Sequence, residues 1–451
     1  MRLTVEELAK IVDGVVAGTS SDADVTSFTI DSRTVVRGAC FVALRDTRDG
    51  HDFVVDAFAR GATVALVDRD VEEAPGPLVR IDDPLDALAR LARAARSRFE
   101  GTVVGITGSA GKTATKDLVA AATAGTRRIH ASPESYNNES GVPLTMLGAA
   151  DDVEVVLAEM GARREGDLTV LCEIVRPEIG AVTNVGLAHA GPFGGVEGVV
   201  RAKGELVEAL PSGGLAVLNA DDPNLGALAG RTSARVLTVG EGKADIVFRN
   251  VRIDEALRPT LELETPWGSG DVSLAVRGAH QAANAAMACA IALVVGVGFD
   301  AALAGLATAR TASHRMELFR SSQGLWILDD AYNANPASAQ AALRAFAELP
   351  AKRRIAVLGE MLELGAASAR EHRRLGAFAA ALGIDVVVAV GPGAREVAEG
   401  ASETEVVRVE NGEEATAFVI AQAKPGDAVL VKASRAIGLE SIVTELLGDA
   451  T

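Results

Sequence analysis

Short Val/Ile-rich runs alternate with Ala-, Leu- and Glu-rich helical stretches along almost the whole chain, and that alternation confines the fold to α/β units around mainly parallel sheets. Strand-like runs fall at residues 40–44, 64–67, 102–107, 181–185, 325–328, 355–358, 386–390 and 429–431, and helical patterns at 84–98 and 196–210. The 451 residues leave room for about three domains of roughly 150 residues each. The punctuation of the pattern sets them at 1–99, 100–312 and 313–451.

A formal net charge of −17 argues against nucleic acid or an anionic membrane surface as the main partner. A few local Lys and Arg can still reverse the field inside one cleft. Cys40, Cys172 and Cys289 are far apart and form no CxxC pair, which disfavours a disulfide framework or structural zinc and points to a reducing cytoplasm. The first residues, Met1-Arg2-Leu3-Thr4-Val5-Glu6-Glu7, carry no apolar run of the kind a signal peptide needs. The uncharged stretch 279–299 includes His280, Gln281 and Asn284 and is mostly Ala, so a buried core helix is expected there, not a membrane span.

Val103-Val104-Gly105-Ile106-Thr107-Gly108-Ser109-Ala110-Gly111-Lys112-Thr113 reads as a strand, a small-residue turn and Gly-Lys-Thr opening a helix. Small residues let backbone N–H groups approach phosphate oxygens at the positive end of a helix. In such a loop Lys112 neutralises the outer phosphates and the Thr113 hydroxyl binds magnesium. The strict pattern is not met, because Ile106 stands where its first glycine belongs.

Other candidates are weaker alone. Glu159 ends an apolar run just before Gly161, where it can hold magnesium or be a solvated loop acid. His189, in a glycine-bounded loop after a strand, is a plausible ligand, although a lone histidine is more often structural. Lys203 shares a helix face with Val196, Val199, Val200, Leu206, Val207 and Leu210. Snorkelling is the ordinary reading of that pattern, the alternative being a buried neutral amine able to take up carbon dioxide as a carbamate. Asp329-Asp330-Ala331-Tyr332-Asn333-Ala334-Asn335-Pro336 follows a strand, as ligand crevices of α/β sheets do, while an Asx-turn and an N-cap account for one or two of its polar residues. Arg315, at the boundary of the last two units, can reach a γ-phosphate or simply make a linker salt bridge.

Taken together, residues 107–113, Asn137-Asn138 leading into Gly141-Val142-Pro143-Leu144-Thr145, Glu159-Met160-Gly161, Arg201-Ala202-Lys203-Gly204-Glu205 and 329–336 occur in the order of the Mur ligases, which the chain resembles over nearly its whole length. The resemblance implies a three-domain α/β architecture with a central P-loop ATPase-like parallel-sheet domain and a Rossmann-like C-terminal domain. It implies ATP and Mg2+ as cofactors, with Gly108, Ser109, Ala110, Gly111, Lys112, Thr113, Asn137, Asn138, Asn284, Arg315, Asp330, Asn333 and Asn335 around the nucleotide. Thr113, Glu159, His189 and a carbamylated Lys203 would hold the metal, and Lys112, Glu159, His189, Lys203 and Arg315 would serve the chemistry. Ser32, Arg33, Asp49, Gly50 and His51 would take a uridine-nucleotide substrate, and Lys432, Ser434 and Arg435, near the cleft, would also bind substrate. Residues 330–336 and 358–365 resemble the branch that joins D-alanyl-D-alanine to UDP-MurNAc-tripeptide through an acyl phosphate, acting as a cytoplasmic monomer. Ala433, Ser140 and Leu187 depart from the usual residues and leave open a related ligase for another carboxylate and amine; a nucleotide-binding protein without turnover is the non-enzyme alternative, against which the set Lys112, Glu159, His189 and Lys203 argues.

Overall fold

The computed structural model describes residues 1–18, 24–186 and 193–448. Three sheets follow one another along the chain. In the first, strands Ser27–Thr29, Ala39–Val42, Ala62–Val67 and Leu78–Arg80 run parallel, and Val15–Ala17 adds an antiparallel edge. The helix Pro84–Arg98 closes this unit at the expected residues. Asp83 caps it through the Leu85 N–H, Pro84 occupies the first turn, and Arg96 and Arg98 lie in the last turn against the negative end of the helix dipole.

The second sheet has nine strands. Arg235–Gly240, Leu215–Asn219, Ile179–Val182, Thr102–Thr107, Val155–Glu159 and Ile129–Ala131 lie side by side and parallel. Thr102–Thr107 is central and Val103, Val104 and Ile106 are fully buried, as a strand covered on both faces requires. Ile246–Ile253, Pro259–Thr265 and Gly268–Ser273 extend the sheet, the last two antiparallel, an extension the strand–helix alternation does not announce. The uncharged run forms the buried helix Gln281–Val294, packed against Lys112–Thr123. No helix among the described residues is long and apolar enough to cross a membrane. All three cysteines are buried, and burial pushes the thiols of Cys172 and Cys289 up to about 12, which leaves them unreactive.

The third sheet orders Glu317–Arg320, Trp326–Asp329, Ala428–Lys432, Arg354–Leu358, Val386–Val390 and Glu405–Val409, parallel except for its first pair. The C-terminal ends of Thr102–Thr107, Val155–Glu159 and Trp326–Asp329 open on one cleft of about 1330 Å³, where ligands of parallel α/β sheets bind.

Candidate active site

The loop between strand Thr102–Thr107 and helix Lys112–Thr123 lines this cleft. Ile106 is inside the strand and fully buried, so the missing first glycine falls before the loop begins. Gly108 (φ +151°) lies against the Thr183 hydroxyl, and a Cβ on Gly111 (φ +79°) would come within 2.7 Å of Asn284 Oδ1. Neither position accepts a side chain. Asn184 supports the loop, its carbonyl accepting from Ser109 N–H (3.0 Å) and its Oδ1 from Ala110 N–H (2.8 Å). Asn335 donates to the Ser109 carbonyl at 3.2 Å. The N–H groups of Gly111, Lys112 and Thr113, at a helix end without a side-chain cap, are left for an anion.

Lys112 Nζ donates to the Gly108 carbonyl at 2.8 Å. Burial pulls its pKa down, Glu159 pulls it up and the Arg315 charge pushes it down again. Glu159 is 1% exposed; Asn137 donates to its Oε1 at 2.8 Å, while its buried Oε2 has no partner among the described residues. Thr113 is buried at the foot of the same cleft.

Lys203 is 3% exposed, so it does not snorkel. It has no hydrogen-bond partner among the described residues, and burial, with the Lys112 charge second, pulls it down to about 7 against the opposing effects of Glu205 and Asp167. Lys112, Lys203 and Arg315 thus face a single cleft together with one orphaned carboxylate oxygen. That donor set suits a polyphosphate with a divalent cation, and the near-neutral amine suits carbamylation. His189 lies outside the described residues, as does Leu187.

From the third unit, Arg315, Asp330, Tyr332, Asn333 and Asn335 enter the cleft. Asn335 also caps helix Pro336–Ala347 in a box with Ser338, so the cap reading holds alongside the contact with the phosphate loop, whereas Asn333 Oδ1 accepts from Ala334 N–H, one residue short of an Asx-turn. Among the described residues Arg315 makes no linker salt bridge and its buried Nε has no partner; its guanidinium stacks on Tyr332 at 4.0 Å. Lys432 is turned inward, donating to Asp330 Oδ2 (2.5 Å) and to the Asn333 carbonyl (3.0 Å). Ser434 likewise ties Leu362 N–H to the Ala334 carbonyl. Arg435 stacks 5.2 Å from the Tyr332 ring. Asn138 accepts from Gly141 N–H, and Asn284 bonds Gln281 beside Gly111.

The first-domain candidates are not brought to this cleft. Arg33 pairs with Asp31 at 2.7 Å beside a buried Ser32. Asp49 accepts from His51 Nδ1 at 2.6 Å, the Asp68 N–H lies 3.2 Å from His51 Nε2, and Gly50 packs against the Leu44 backbone. Sequence reading missed Thr183 and Asn184, which support the loop, and also His280, Ser135 and Lys116. The first two carry no pattern of their own, since only sheet order sets the end of Ile179–Val182 beside the phosphate loop. His280 lines the cleft and is exposed.

Comparison with known proteins agrees with this geometry. The Mur ligase family catalytic domain matches residues 24–96, the Mur ligase middle domain 106–292 and the Mur ligase glutamate ligase domain 314–435. UDP-N-acetylmuramoyl-tripeptide–D-alanyl-D-alanine ligase of Mycobacterium tuberculosis is 39% identical, the match covering 100% of this chain and 99% of that protein. A crystal structure of MurF from Acinetobacter baumannii superposes with a TM-score of 0.89 at 29% identity over 99% of both chains. MurF ligase from Thermotoga maritima in complex with ADP gives 0.81 at 30% identity over 94% of this chain and 97% of that one. A phosphate loop, an inward carboxylate and a third domain that lines the same cleft, joined to full-length similarity of this degree, establish that the chain belongs to the Mur ligase family.

Proposed function

We infer that this chain is an ATP-dependent ligase that adds D-alanyl-D-alanine to UDP-N-acetylmuramoyl-tripeptide in peptidoglycan precursor synthesis, working as a cytoplasmic monomer. The observation that carries this reading is the convergence of Lys112, Lys203 and Arg315 with Glu159 in one cleft, in a chain 39% identical over its full length to a ligase of that name. In this reading residues 1–99 hold the uridine nucleotide through Ser32, Arg33 and Asp49–His51. Residues 100–312 bind ATP, and residues 313–451 close over it and take the dipeptide.

An oxygen of the tripeptide carboxylate attacks the γ-phosphorus of ATP and the bond to the ADP oxygen breaks. The dipeptide amine then attacks the acyl phosphate carbon, loses its proton, and the carbon–oxygen bond to phosphate breaks. Lys112 and the free Arg315 Nε neutralise charge on the transferred group, and the orphan N–H groups of 111–113 orient it. Asn137 aims the Glu159 carboxylate inward. Thr113, Glu159 and carbamylated Lys203, with His189, would hold magnesium, which supplies Lewis-acid charge neutralisation when bound.

Incubating the protein with ATP, UDP-MurNAc-tripeptide and D-alanyl-D-alanine should release ADP only when both acceptor and amine are present, with the pentapeptide product seen by mass spectrometry. ADP release without that product would overturn the substrate pair. The buried amine gives a second prediction. Removing dissolved carbon dioxide should lower turnover, and bicarbonate should restore it. The dependence steepens below pH 7, where protonation of Lys203 withdraws the reactive amine. Lys203→Met should be slow at all bicarbonate levels; a variant as active as wild type would exclude the carbamate.

A further inference from the structure

Lys116 lies one helical turn beyond Lys112 and is 3% exposed, yet unlike Lys112 it does not line the cleft. Its Nζ donates to the carbonyls of Ser132 (2.6 Å) and Glu134 (2.9 Å), which fixes the short segment after strand Ile129–Ala131. Glu134 in this segment is left-handed (φ +42°), a conformation unfavourable for a side chain longer than Asn unless the surroundings hold it. The next helix residue, Asp117, accepts from Ala312 N–H at 3.1 Å, just before the connector that carries Arg315. The same turn of the phosphate-binding helix therefore grips both the segment and the connector.

The two meet again at Ser135. Its Oγ accepts from the Tyr332 hydroxyl at 2.7 Å and from Arg315 Nη2 at 3.2 Å. Arg315 itself is set between His314 (φ +60°) and Met316 (φ +55°), a doubly left-handed kink. That kink is secured by Tyr332 N–H on the His314 carbonyl and Met316 N–H on Asp330 Oδ1. With Nη2 on Ser135 and its plane on the Tyr332 ring, the guanidinium has its orientation defined and its Nε left over. A flexible arginine is thus held by one neutral oxygen belonging to the opposite side of the cleft.

We propose that Ser135 is a positioning residue of the ligase reaction: its hydroxyl, held in place by Lys116, joins Tyr332 and Arg315 across the cleft and sets the arginine for the transferred phosphate. This rests on the reading of the cleft given above. Ser135 acts through Arg315 and touches no reacting atom, so its contribution is to the rate of the assembled complex and not to nucleotide affinity.

The test is a double-mutant cycle with Ser135→Ala and Tyr332→Phe, which together remove a hydroxyl pair while keeping the ring under Arg315. Each single variant should lose about tenfold in kcat, the worth of one hydrogen bond involving a charged or shared partner. ADP affinity by calorimetry should stay within about twofold of wild type, since one hydrogen bond to Arg315 leaves the ADP contacts of the phosphate loop intact. The double variant should be no slower than the slower single, because both remove one arrangement. Ser135→Thr, which keeps the hydroxyl, should recover most of the rate. Wild-type kcat in Ser135→Ala, or losses that multiply in the double variant, would overturn the proposal. Failure of the ligase reading would be visible separately, as absence of ligated product from the unmutated protein.

Discussion

Lys112→Met should lower kcat by about 10²- to 10³-fold while leaving the melting temperature close to that of the parent. The rate effect follows from what the ammonium does in the cleft. Phosphoryl transfer moves negative charge from the γ-phosphate toward the ADP oxygen, and in a site partly shielded from water a fixed cation stabilises that charge far better than solvent does. Lys112 is already held in place by one hydrogen bond to its own loop and needs no reorganisation when the phosphate arrives. Its neighbours explain why stability is spared. Burial and the Arg315 charge both disfavour the charged form, and Glu159 alone opposes them, so an apolar side chain of similar length removes an electrostatic burden as well as a contact. Lys112→Arg is expected to be nearly as slow, because a planar fork does not replace a point charge among loop carbonyls. ADP release under saturating substrates and a thermal melt check both halves. A Met variant with wild-type turnover would remove the phosphate loop from the mechanism.

The largest effect on stability is expected at Lys432→Met, about 3–5 kcal/mol. The Lys432 side chain is 2% exposed and that of Asp330 13%, and their ion pair lies where the parallel strands Trp326–Asp329 and Ala428–Lys432 end side by side. Without the ammonium, Asp330 keeps only the Met316 N–H at 3.2 Å, and the Asn333 carbonyl loses its donor. An uncompensated carboxylate in that position costs far more than the pair contributes over two apolar groups. Lys432→Met/Asp330→Asn should therefore recover most of the loss. The chain has two tryptophans, Trp267 and Trp326, and Trp326 begins the strand that leads to Asp330. In a Trp267→Phe background its fluorescence during urea unfolding reports the third domain alone, which matters because three domains need not unfold in one step. Equal midpoints for Lys432→Met and its parent would mean that the ion pair holds nothing together.

Lys432 also shows how resemblance and packing differ in what they specify. Its segment suggests a substrate contact, and in the fold Lys432 and Arg435 both line the cleft, but the Lys432 ammonium is also paired with Asp330. Lys203 moved in the opposite direction: helical periodicity favours snorkelling, but the helix Val196–Glu208 packs deeply enough to bury the whole side chain. Periodicity reports which face a residue shares; the depth of that face depends on what is packed over it.

The sequence by itself determined the α/β class, the helix Pro84–Arg98, the buried helix within 279–299 and the phosphate loop, because these depend on local periodicity, caps and glycines. Glu159 and the 330–335 segment were also legible, since each sits at the end of an apolar run. What only the tertiary structure decided is the company these residues keep. Strand order sets Asn184 under the phosphate loop, a buried lysine fixes the segment that carries Ser135, and a left-handed kink turns Arg315 into the cleft. The separations run from 18 positions, as Lys116 with Glu134, through 74, as Asn184 with Ala110, to 226, as Asn335 with Ser109. Local sequence has no means of registering them, because the free energy of such a contact depends on chain segments that meet only after the sheets have formed.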